Sequence, residues 1–443
     1  MVFSSIEFIF LFLPVFILIY YILPLNLRNA WLFAGSILFY TFGSWQNPGH
    51  IGLFLVAVIA NYFFGRLVEK RPGKMVLAIS VGVNLFYLGA FKYWLHILPV
   101  GISFYTFQAI AYLADIYRKK CSAEKSLIGF GTYLSMFPQL IAGPIVTYPS
   151  VRDQIYERKY EFSIFVQGLK IFVLGLGSKV LLANQVGKLW SQLGAIGYES
   201  ISTPLAWLGI AAYTFQIYFD FLGYSLMAVG LGKMLGFALP ANFEHPYLSV
   251  SMTEFWRRWH ITLGSWFREY VYIPLGGNRC GKWKTLRNLF IVWLLTGIWH
   301  GASFNFALWG VLIFVLIAIE KAGFQKILEK YRVLGHLYMV TVIPFFWAVF
   351  AISDGADLIA FISRLLGVTV SDSVVFAGDF LKYGREYGLI MVICLLFIIR
   401  IPQRIWEKLR ETYVGQLVLA GIFAGAVYCL YMGMDNPFLY YQF

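Results

Sequence analysis

Apolar runs long enough to cross a lipid bilayer recur along the whole chain, and they restrict the possible folds more than any other feature. The hydrocarbon core of a bilayer is ~30 Å thick, and about 20 residues of helix span it. The first such run, "FSSIEFIFLFLPVFILIYYILPL", begins at residue 3. Because every backbone polar group in lipid must be paired within the protein, repeated runs of this length predict an all-α polytopic membrane protein.

Composition and charge agree with a membrane protein. Hydrophobic residues make up 60% of the chain and charged residues only 13%, whereas a soluble domain has roughly a quarter charged residues. The first run lacks a basic leader and a small-residue cleavage site, so we expect a retained span. The net charge is +13, but the basic residues stand in short clusters between apolar runs. This pattern is typical of the positive-inside rule, so we expect contact with the bilayer and none with nucleic acid.

We predict roughly eleven transmembrane helices with additional re-entrant and interfacial segments, because segments shorter than ~17 residues cannot cross alone. The chain shows no polar domain, long linker or internal repeat, so we expect one domain over residues 1–443. The predicted segments are 4–23, 30–45, 50–68, 75–91, 97–117, 126–145, 162–184, 203–218, 221–239, a semi-polar helix at 252–270, and then 286–300, 302–320, 337–352, 387–401 and 413–432.

The basic clusters predict the orientation of the chain. They lie at Arg66–Lys74, Arg118–Lys125, Arg279–Arg287 and Arg400–Arg410, and such clusters mark cytosolic loops. Three spans precede the first cluster and one follows the last. Both the N-terminus and the tail 433–443 are therefore expected outside.

His300 lies within "LLTGIWHGASFNFALWG", residues 294–310, in the middle of an apolar run. Polar groups at membrane depth are costly and usually face a bundle interior or a water-filled cavity. A core histidine satisfied by a carbonyl group is the alternative. The neighbouring Ser303, Asn305 and glycines, which fit a broken or closely packed helix, favour a functional site.

His260 lies within "SMTEFWRRWHITLGSWFREYVYIPLGG", residues 251–277. Ser251 and Glu254 have the spacing of a capping box, which predicts a helix start. On a continuous helix His260 would fall on the apolar side, opposite Arg257 and Arg258. An interfacial helix explains the arginines but not a histidine on the apolar face.

Several other kinds of site are disfavoured. The chain has no G-x-S-x-G elbow, no dinucleotide fingerprint, no carboxylate pair spaced for a metal, and no cysteines at ligand spacing. We therefore expect no bound metal or cofactor. Gln216 and Asp220, in "FQIYFDFLGYS", are candidates for helix–helix hydrogen bonding first and for a tunnel lining second.

The two histidine motifs, "MFPQLIAGPI" at 136–145 and the terminal "PFLYYQF" resemble the membrane-bound O-acyltransferase family. They are most similar to its bacterial branch for alginate and peptidoglycan O-acetylation and teichoic acid D-alanyl transfer. The resemblance covers nearly the whole chain. It implies a fold with a central tunnel, in which His300 is catalytic at the narrowest part and His260 lies nearby on the cytosolic side.

The resemblance also implies an acyl donor and a partner. The donor is a cytosolic thioester such as acetyl-coenzyme A. Arg257 and Arg258 are candidates for contacting its phosphates, and a role as topology determinants or as contacts to lipid head groups is the alternative for each. The partner is an extracellular or periplasmic esterase-like acyltransferase of the SGNH type, which acylates a cell-envelope polysaccharide. The location is then the bacterial cytoplasmic membrane. D-alanyl transfer and a transporter or channel remain alternatives, although the paired broken helices common in transporters are missing.

The tail "DNPFLYYQF" ends the chain with aromatic residues. An aromatic belt at the membrane interface is one interpretation. In the family branch, however, a similar motif implies that Tyr440 receives the acyl group before the partner does. A phenol has a pKa near 10, so it needs a base such as His300 to become nucleophilic at neutral pH.

Overall fold

The computed structural model describes residues 2–95, 97–141, 143–158, 160–368 and 375–433. All regular secondary structure in these ranges is helical, which confirms the predicted all-α class. The α-helices are α1 Leu13–Ile22, α2 Leu25–Gly43, α3 Gly49–Lys70, α4 Lys74–Gly89, α5 Ile102–Tyr117, α6 Leu127–Ser135, α7 Phe137–Leu140, α8 Tyr148–Tyr156, α9 Phe162–Gly177, α10 Asn184–Ile196, α11 Thr203–Met234, α12 Met252–Arg258, α13 Ile261–Phe267, α14 Lys282–His300, α15 Phe304–Ile319, α16 Gln325–Lys330, α17 Arg332–Ala351, α18 Gly355–Leu365, α19 Asp379–Ile398, α20 Arg400–Leu409 and α21 Tyr413–Tyr431.

Seven segments of the described chain are long and apolar enough to cross a membrane, or eight if the bent pair α19–α20 forms one span. The sequence predicted roughly eleven. Two of the predicted segments, 97–117 and 126–145, contain the shorter α5 and the α6–α7 pair. Two others, 203–218 and 221–239, were predicted as separate spans, but they belong mainly to one 32-residue helix, α11. No proline separates them, so the backbone hydrogen bonds continue.

The helices form two compact units. The first takes in the described residues up to 176 together with 224–241 and 430–433. Its core contains closely packed aromatic rings from the N-terminal segment and from α2 and α7. Phe137, for example, lies 5.2 Å from Phe16 and 5.6 Å from Phe39 between ring centroids. Rings in these arrangements stabilise a core beyond the area that they bury.

The second unit takes in 177–223 and 242–429 of the described residues and contains both candidate histidines. At its centre α14 and α15 pack closely against each other. A Cβ atom added at Gly297 would lie 2.3 Å from the carbonyl oxygen of Phe306, and one at Gly310 would lie 2.3 Å from that of Trp293. The two glycines therefore allow the helix backbones to touch. The segment is both closely packed and broken, because α14 ends at His300 and α15 begins at Phe304.

The two units are regions in which residues contact each other closely. Whether residues 1–443 act together as one catalytic domain is a separate matter, and that expectation stays a prediction.

Candidate active site

A cavity of about 640 Å³ lies in the second unit among α12, α13, α14 and the turn after α13. Both His260 and His300 line it. Large aromatic side chains and several polar groups complete the lining, among them Trp256, Trp259, Trp293, Phe267, Arg257, Arg268, Asn278 and Thr296. The two histidine motifs, which stand far apart in the sequence, thus meet at one cavity.

The region around His260 differs from the predicted helix at 252–270. Helix α12 starts at the expected capping box, where the Ser251 hydroxyl accepts a bond from the Glu254 N–H at 3.1 Å. It ends at Arg258, and His260 adopts a left-handed conformation with φ 45° and ψ 54° before α13 begins. The continuous helix was therefore a wrong prediction, and Arg257 lines the same cavity as His260 instead of lying opposite it. The expected placement of the His260 ring among apolar groups is confirmed.

The break has a physical cause in the preceding loop. The Glu244 N–H donates to the Arg258 carbonyl at 3.0 Å, and the Ile261 N–H donates to the Asn242 carbonyl at 3.0 Å. The Asn242 side-chain oxygen also accepts a bond from the Thr262 hydroxyl at 2.6 Å. These bonds replace those that a continuous helix would form, so the loop carrying Asn242 fixes the position of His260.

The ring of His260 is buried in apolar surroundings, with only 3% of the residue exposed. It meets the ring of Phe221 edge-to-face at 4.7 Å between centroids and lies 6.4 Å from that of Trp299. Burial lowers the pKa of His260 to about 3, because an apolar environment disfavours the charged imidazolium. At neutral pH this ring is therefore neutral and able to accept a hydrogen bond.

His300 is the last residue of α14 and is also buried. Its ring lies 5.2 Å from Trp309 and 5.1 Å from Phe350, nearly perpendicular to both. Gly301 follows in an extended conformation, and a Cβ there would lie 2.3 Å from the ring of Phe306. The glycine therefore lets the chain turn beside an aromatic wall that excludes water from one side of His300.

One face of α14 forms a side of the cavity. Leu289, Val292, Trp293, Thr296 and His300 all line it, with the three- and four-residue spacing of one helix face. At a rise of about 1.5 Å per residue, the stretch from Leu289 to His300 extends about 17 Å. The cavity is therefore long enough to hold an extended, slender group.

The residues that line the cavity differ in exposure and charge. Arg257, Arg268 and Asn278 are exposed, whereas His260, Thr296 and His300 are buried. Exposed basic groups and buried histidines therefore line the same cavity. Only one of the two arginines that were candidates for contacting the donor lines this cavity. Arg257 lines it, whereas Arg258 pairs with Glu254 at 2.6 Å and lines a different cavity.

Two other candidates follow His300 in the sequence, and only Asn305 has side-chain hydrogen bonds. Asn305 is buried, and its amide donates to the carbonyls of Val349 and Phe350 at 3.1 Å and 3.0 Å. It thereby holds the end of α17 against α15. Ser303 is exposed and precedes α15 as its N-cap residue. Neither side chain is among those lining the cavity.

Asp220 and Gln216 lie on α11 away from this lining. The Asp220 carboxylate forms a buried ion pair with Lys179 at 2.6 Å, and Lys179 also donates to Asn184 at 2.7 Å. Gln216 packs on Gly187, where a Cβ atom would lie 2.3 Å from its amide nitrogen. These contacts agree with the helix-packing interpretation of both residues.

Some residues of the site were missed from the sequence. Thr296 lies one turn before His300 and lines the same cavity, and its i, i+4 spacing from His300 could have identified it. The role of Asn242 could not be predicted from its sequence neighbours, because it contacts the residues after His260 from a separate loop earlier in the chain. Tyr440, the candidate acyl acceptor, lies outside the described residues.

Comparison with protein-family models matches residues 120–353 to MBOAT, the membrane-bound O-acyltransferase family. A probable alginate O-acetylase AlgI from Pseudomonas putida is 39% identical over 378 residues, which cover 79% of this chain and 77% of the relative. A peptidoglycan O-acetyltransferase from Helicobacter pylori is 32% identical over 427 residues, covering 83% and 80%. A teichoic acid D-alanyltransferase from Bacillus subtilis is 26% identical over 245 residues, covering 53% and 61%.

Proposed function

Since this chain belongs to the membrane-bound O-acyltransferase family and is thus a multi-pass membrane acyltransferase, we propose that it transfers an acetyl group across the membrane. The donor is cytosolic acetyl-coenzyme A. The receiver is an extracellular or periplasmic esterase-like acyltransferase of the SGNH type. That partner then O-acetylates a cell-envelope polysaccharide.

The observation that supports this proposal most is the cavity shared by His260 and His300. Its exposed arginines, Arg257 and Arg268, suit the phosphates of coenzyme A, since guanidinium groups pair well with phosphate oxygens. Its apolar body suits the uncharged arm and the acetyl thioester. The buried end brings the thioester to the two histidines in surroundings that exclude water, which protects it from hydrolysis.

In this mechanism His300 is the general base. An imidazole nitrogen takes the proton of the acceptor hydroxyl, whose oxygen attacks the thioester carbonyl carbon. The resulting tetrahedral intermediate collapses with cleavage of the carbon–sulfur bond, and the thiolate takes up the proton. The products are an ester and free coenzyme A. General-base catalysis of this kind contributes about 10²–10⁴-fold to the rate.

His260 is neutral in the same cavity and orients the donor, with its ring held by the loop of Asn242. Asn305, Gln216 and Asp220 keep the helices of this unit in place through their buried contacts.

D-alanyl transfer is the second candidate function. The relatives named for it match 51% and 53% of the chain at 29% and 26% identity. Those named for O-acetylation match 79% and 83% at 39% and 32% identity. The acetyl donor is therefore favoured.

A labelling experiment tests the proposal. Purified protein is incubated with radiolabelled acetyl-coenzyme A, and the label on the chain and on added partner is measured. We expect the wild-type protein to acquire label and His300→Ala to lose at least about 100-fold of the rate, as expected for removal of a general base. Phe304→Ala, an exposed change just past the break, is the matched control and should label normally.

Other outcomes would contradict specific parts of the proposal. Normal labelling of a folded His300→Ala variant would exclude its role as the base. Labelling by a D-alanyl thioester but not by acetyl-coenzyme A would exclude the acetyl donor. Movement of substrate across liposomes without any labelled protein would favour the transporter.

A further inference from the structure

A second cavity of the same unit, of about 320 Å³, is lined by Leu248, Arg258, Arg332, His336 and Arg400. It shares no lining residue with the cavity of the two histidines. Three guanidinium groups and an imidazole meet here, although they come from three helices, α12, α17 and α20, that are well separated in the sequence. Such a concentration of cationic groups around a cavity points to an anionic ligand.

The positive charge of this cavity is only partly balanced within the protein. Arg258 is paired with Glu254 at 2.6 Å. No carboxylate in the described part of the chain forms an ion pair with Arg332 or Arg400. Arg332 and Arg400 are also the first residues of α17 and α20, so the positive ends of two helix dipoles lie at the cavity.

The surface beside this cavity is apolar and exposed. On α17, Val333, Leu337 and Val340 are all exposed, and their spacing places them on one side of the helix, beginning next to Arg332. On the other side of the cavity, α20 is bent by 75° from α19, with Arg400 at the bend. Ile401 and Ile405 on α20 are exposed as well.

We propose that this cavity binds the phosphate of an anionic phospholipid, whose acyl chains cover the exposed apolar side of α17. Arg332 and Arg400 donate charge-assisted hydrogen bonds to the phosphate oxygens. Arg258, held in place by Glu254, contributes a third donor. Basic pockets between helices at the membrane surface suit lipid head groups, and guanidinium groups suit phosphate geometry.

The lipid explains the observations better than the phosphates of the acyl donor do. A soluble donor would account for the arginines but not for the apolar stripe that starts beside them. The donor cavity also has exposed arginines of its own, Arg257 and Arg268. Lipid binding is independent of the proposed acetyl transfer, so either proposal can fail without the other.

The test measures lipid retention by native mass spectrometry on the purified full-length protein. The protein is titrated with phosphatidylglycerol or with phosphatidylcholine in detergent. The double variant Arg332→Gln/Arg400→Gln is compared with Arg404→Gln/Lys408→Gln, which removes the same charge from exposed positions on α20 outside the cavity. We expect wild-type protein and the control to retain one phosphatidylglycerol in preference to phosphatidylcholine. The cavity variant should bind it at least about tenfold more weakly, since the loss of even one charged hydrogen bond has an effect of that size.

Each other result counts against the site. Equal retention by wild-type protein and the cavity variant, with unchanged thermal unfolding, would overturn it. Equal weakening in the control variant would show a general effect of surface charge. If coenzyme A or inorganic phosphate displaces the lipid from the wild-type protein but not from the cavity variant, the site binds the phosphate of a soluble ligand instead. No preference for phosphatidylglycerol over phosphatidylcholine would exclude an anionic head group as the ligand.

Discussion

His260 is held in a left-handed backbone conformation that most side chains disfavour, with φ 45°. The conformation costs a non-glycine residue about 1–2 kcal/mol. The bonds from Ile261 and Thr262 to Asn242 offset this cost, because they fix the start of α13. Such strain is frequent where a side chain must be presented to a site, and here it directs the imidazole toward the cavity.

A matched pair of substitutions distinguishes the contribution of the His260 ring to transfer from that of its backbone conformation. His245 has the same φ of 45° but lies outside the lining of the cavity. Asparagine tolerates this conformation, so both His260→Asn and His245→Asn should fold. We expect His260→Asn to reduce acetyl transfer at least about tenfold while His245→Asn keeps it, since only the first removes a ring from the cavity. Equal activity of the two variants in the labelling assay would show that the ring of His260 is dispensable.

The buried state of His260 also predicts how stability depends on pH. Its pKa is lowered to about 3 in the folded protein, against about 6.5 in an unfolded chain. Between these values the unfolded state binds more protons, so this residue contributes stability that is present above a pH of about 6.5 and is lost as the pH falls toward 3. The melting temperature should therefore drop less on acidification in His260→Asn than in the wild type. Parallel curves from pH 7 to pH 4 would contradict this burial.

At the level of helices, contact between the backbones of α14 and α15 positions His300. A Cβ atom at Gly310 would lie 2.3 Å from the Trp293 carbonyl oxygen, so Gly310→Ala must push the two backbones apart. We expect a destabilisation of about 1–3 kcal/mol, typical of overpacking. Transfer should also fall, because Trp293 and His300 line the cavity together.

Gly421→Ala is the control for this prediction. Gly421 lies on α21, and a Cβ there meets nothing within 4 Å. Thermal unfolding and labelling of the two variants should therefore diverge. A fully active and stable Gly310→Ala variant would show that the backbones of α14 and α15 are not in contact at Gly310.

The elements show which parts of the structure are readable from sequence. The all-α class, the capping box at Ser251 and the close packing at Gly297 follow from local patterns, because each depends on residues within a few turns. The break at His260 does not, since the bonds that stabilise it come from Asn242 and Glu244 in another segment. Lys179 was missed for the same reason. Its partner Asp220 lies on a different helix, α11, and only folding brings the two charges together.

The same limit applies to the candidate site. The two histidines were singled out because their surroundings conflict with simple apolar or interfacial helices, and a conflict of that kind is visible locally. Their catalytic roles come from the family resemblance and stay a prediction. The sequence did not predict that Arg257 and Arg258 line different cavities, because this depends on where α12 ends and on which cavity each side chain then faces.

For the whole molecule, the proposed transfer requires the acetyl group to leave the cavity that His300 lines. His300 is buried behind Trp309 and Phe350, so a bulky polysaccharide is a poor direct acceptor there. A small acceptor on the chain itself would bridge the gap. The sequence offers a candidate in "NPFLYYQF", residues 436–443, which the positions of the basic clusters predict to lie outside.

Substitution of the tail tyrosines tests this route. If Tyr440 is the acceptor, its phenol loses a proton to His300 and attacks the thioester, giving an aryl ester and free coenzyme A. A phenol is a better leaving group than a sugar hydroxyl, so passing the acetyl group to a serine of the partner is then favourable. Tyr440→Phe keeps the ring and removes only the hydroxyl, so we expect it to stop polymer acetylation, whereas Tyr441→Phe should leave it unchanged. The acetyl content of the isolated polysaccharide measures both, and normal acetylation in the Tyr440→Phe strain would reduce the tail to an aromatic anchor at the membrane interface.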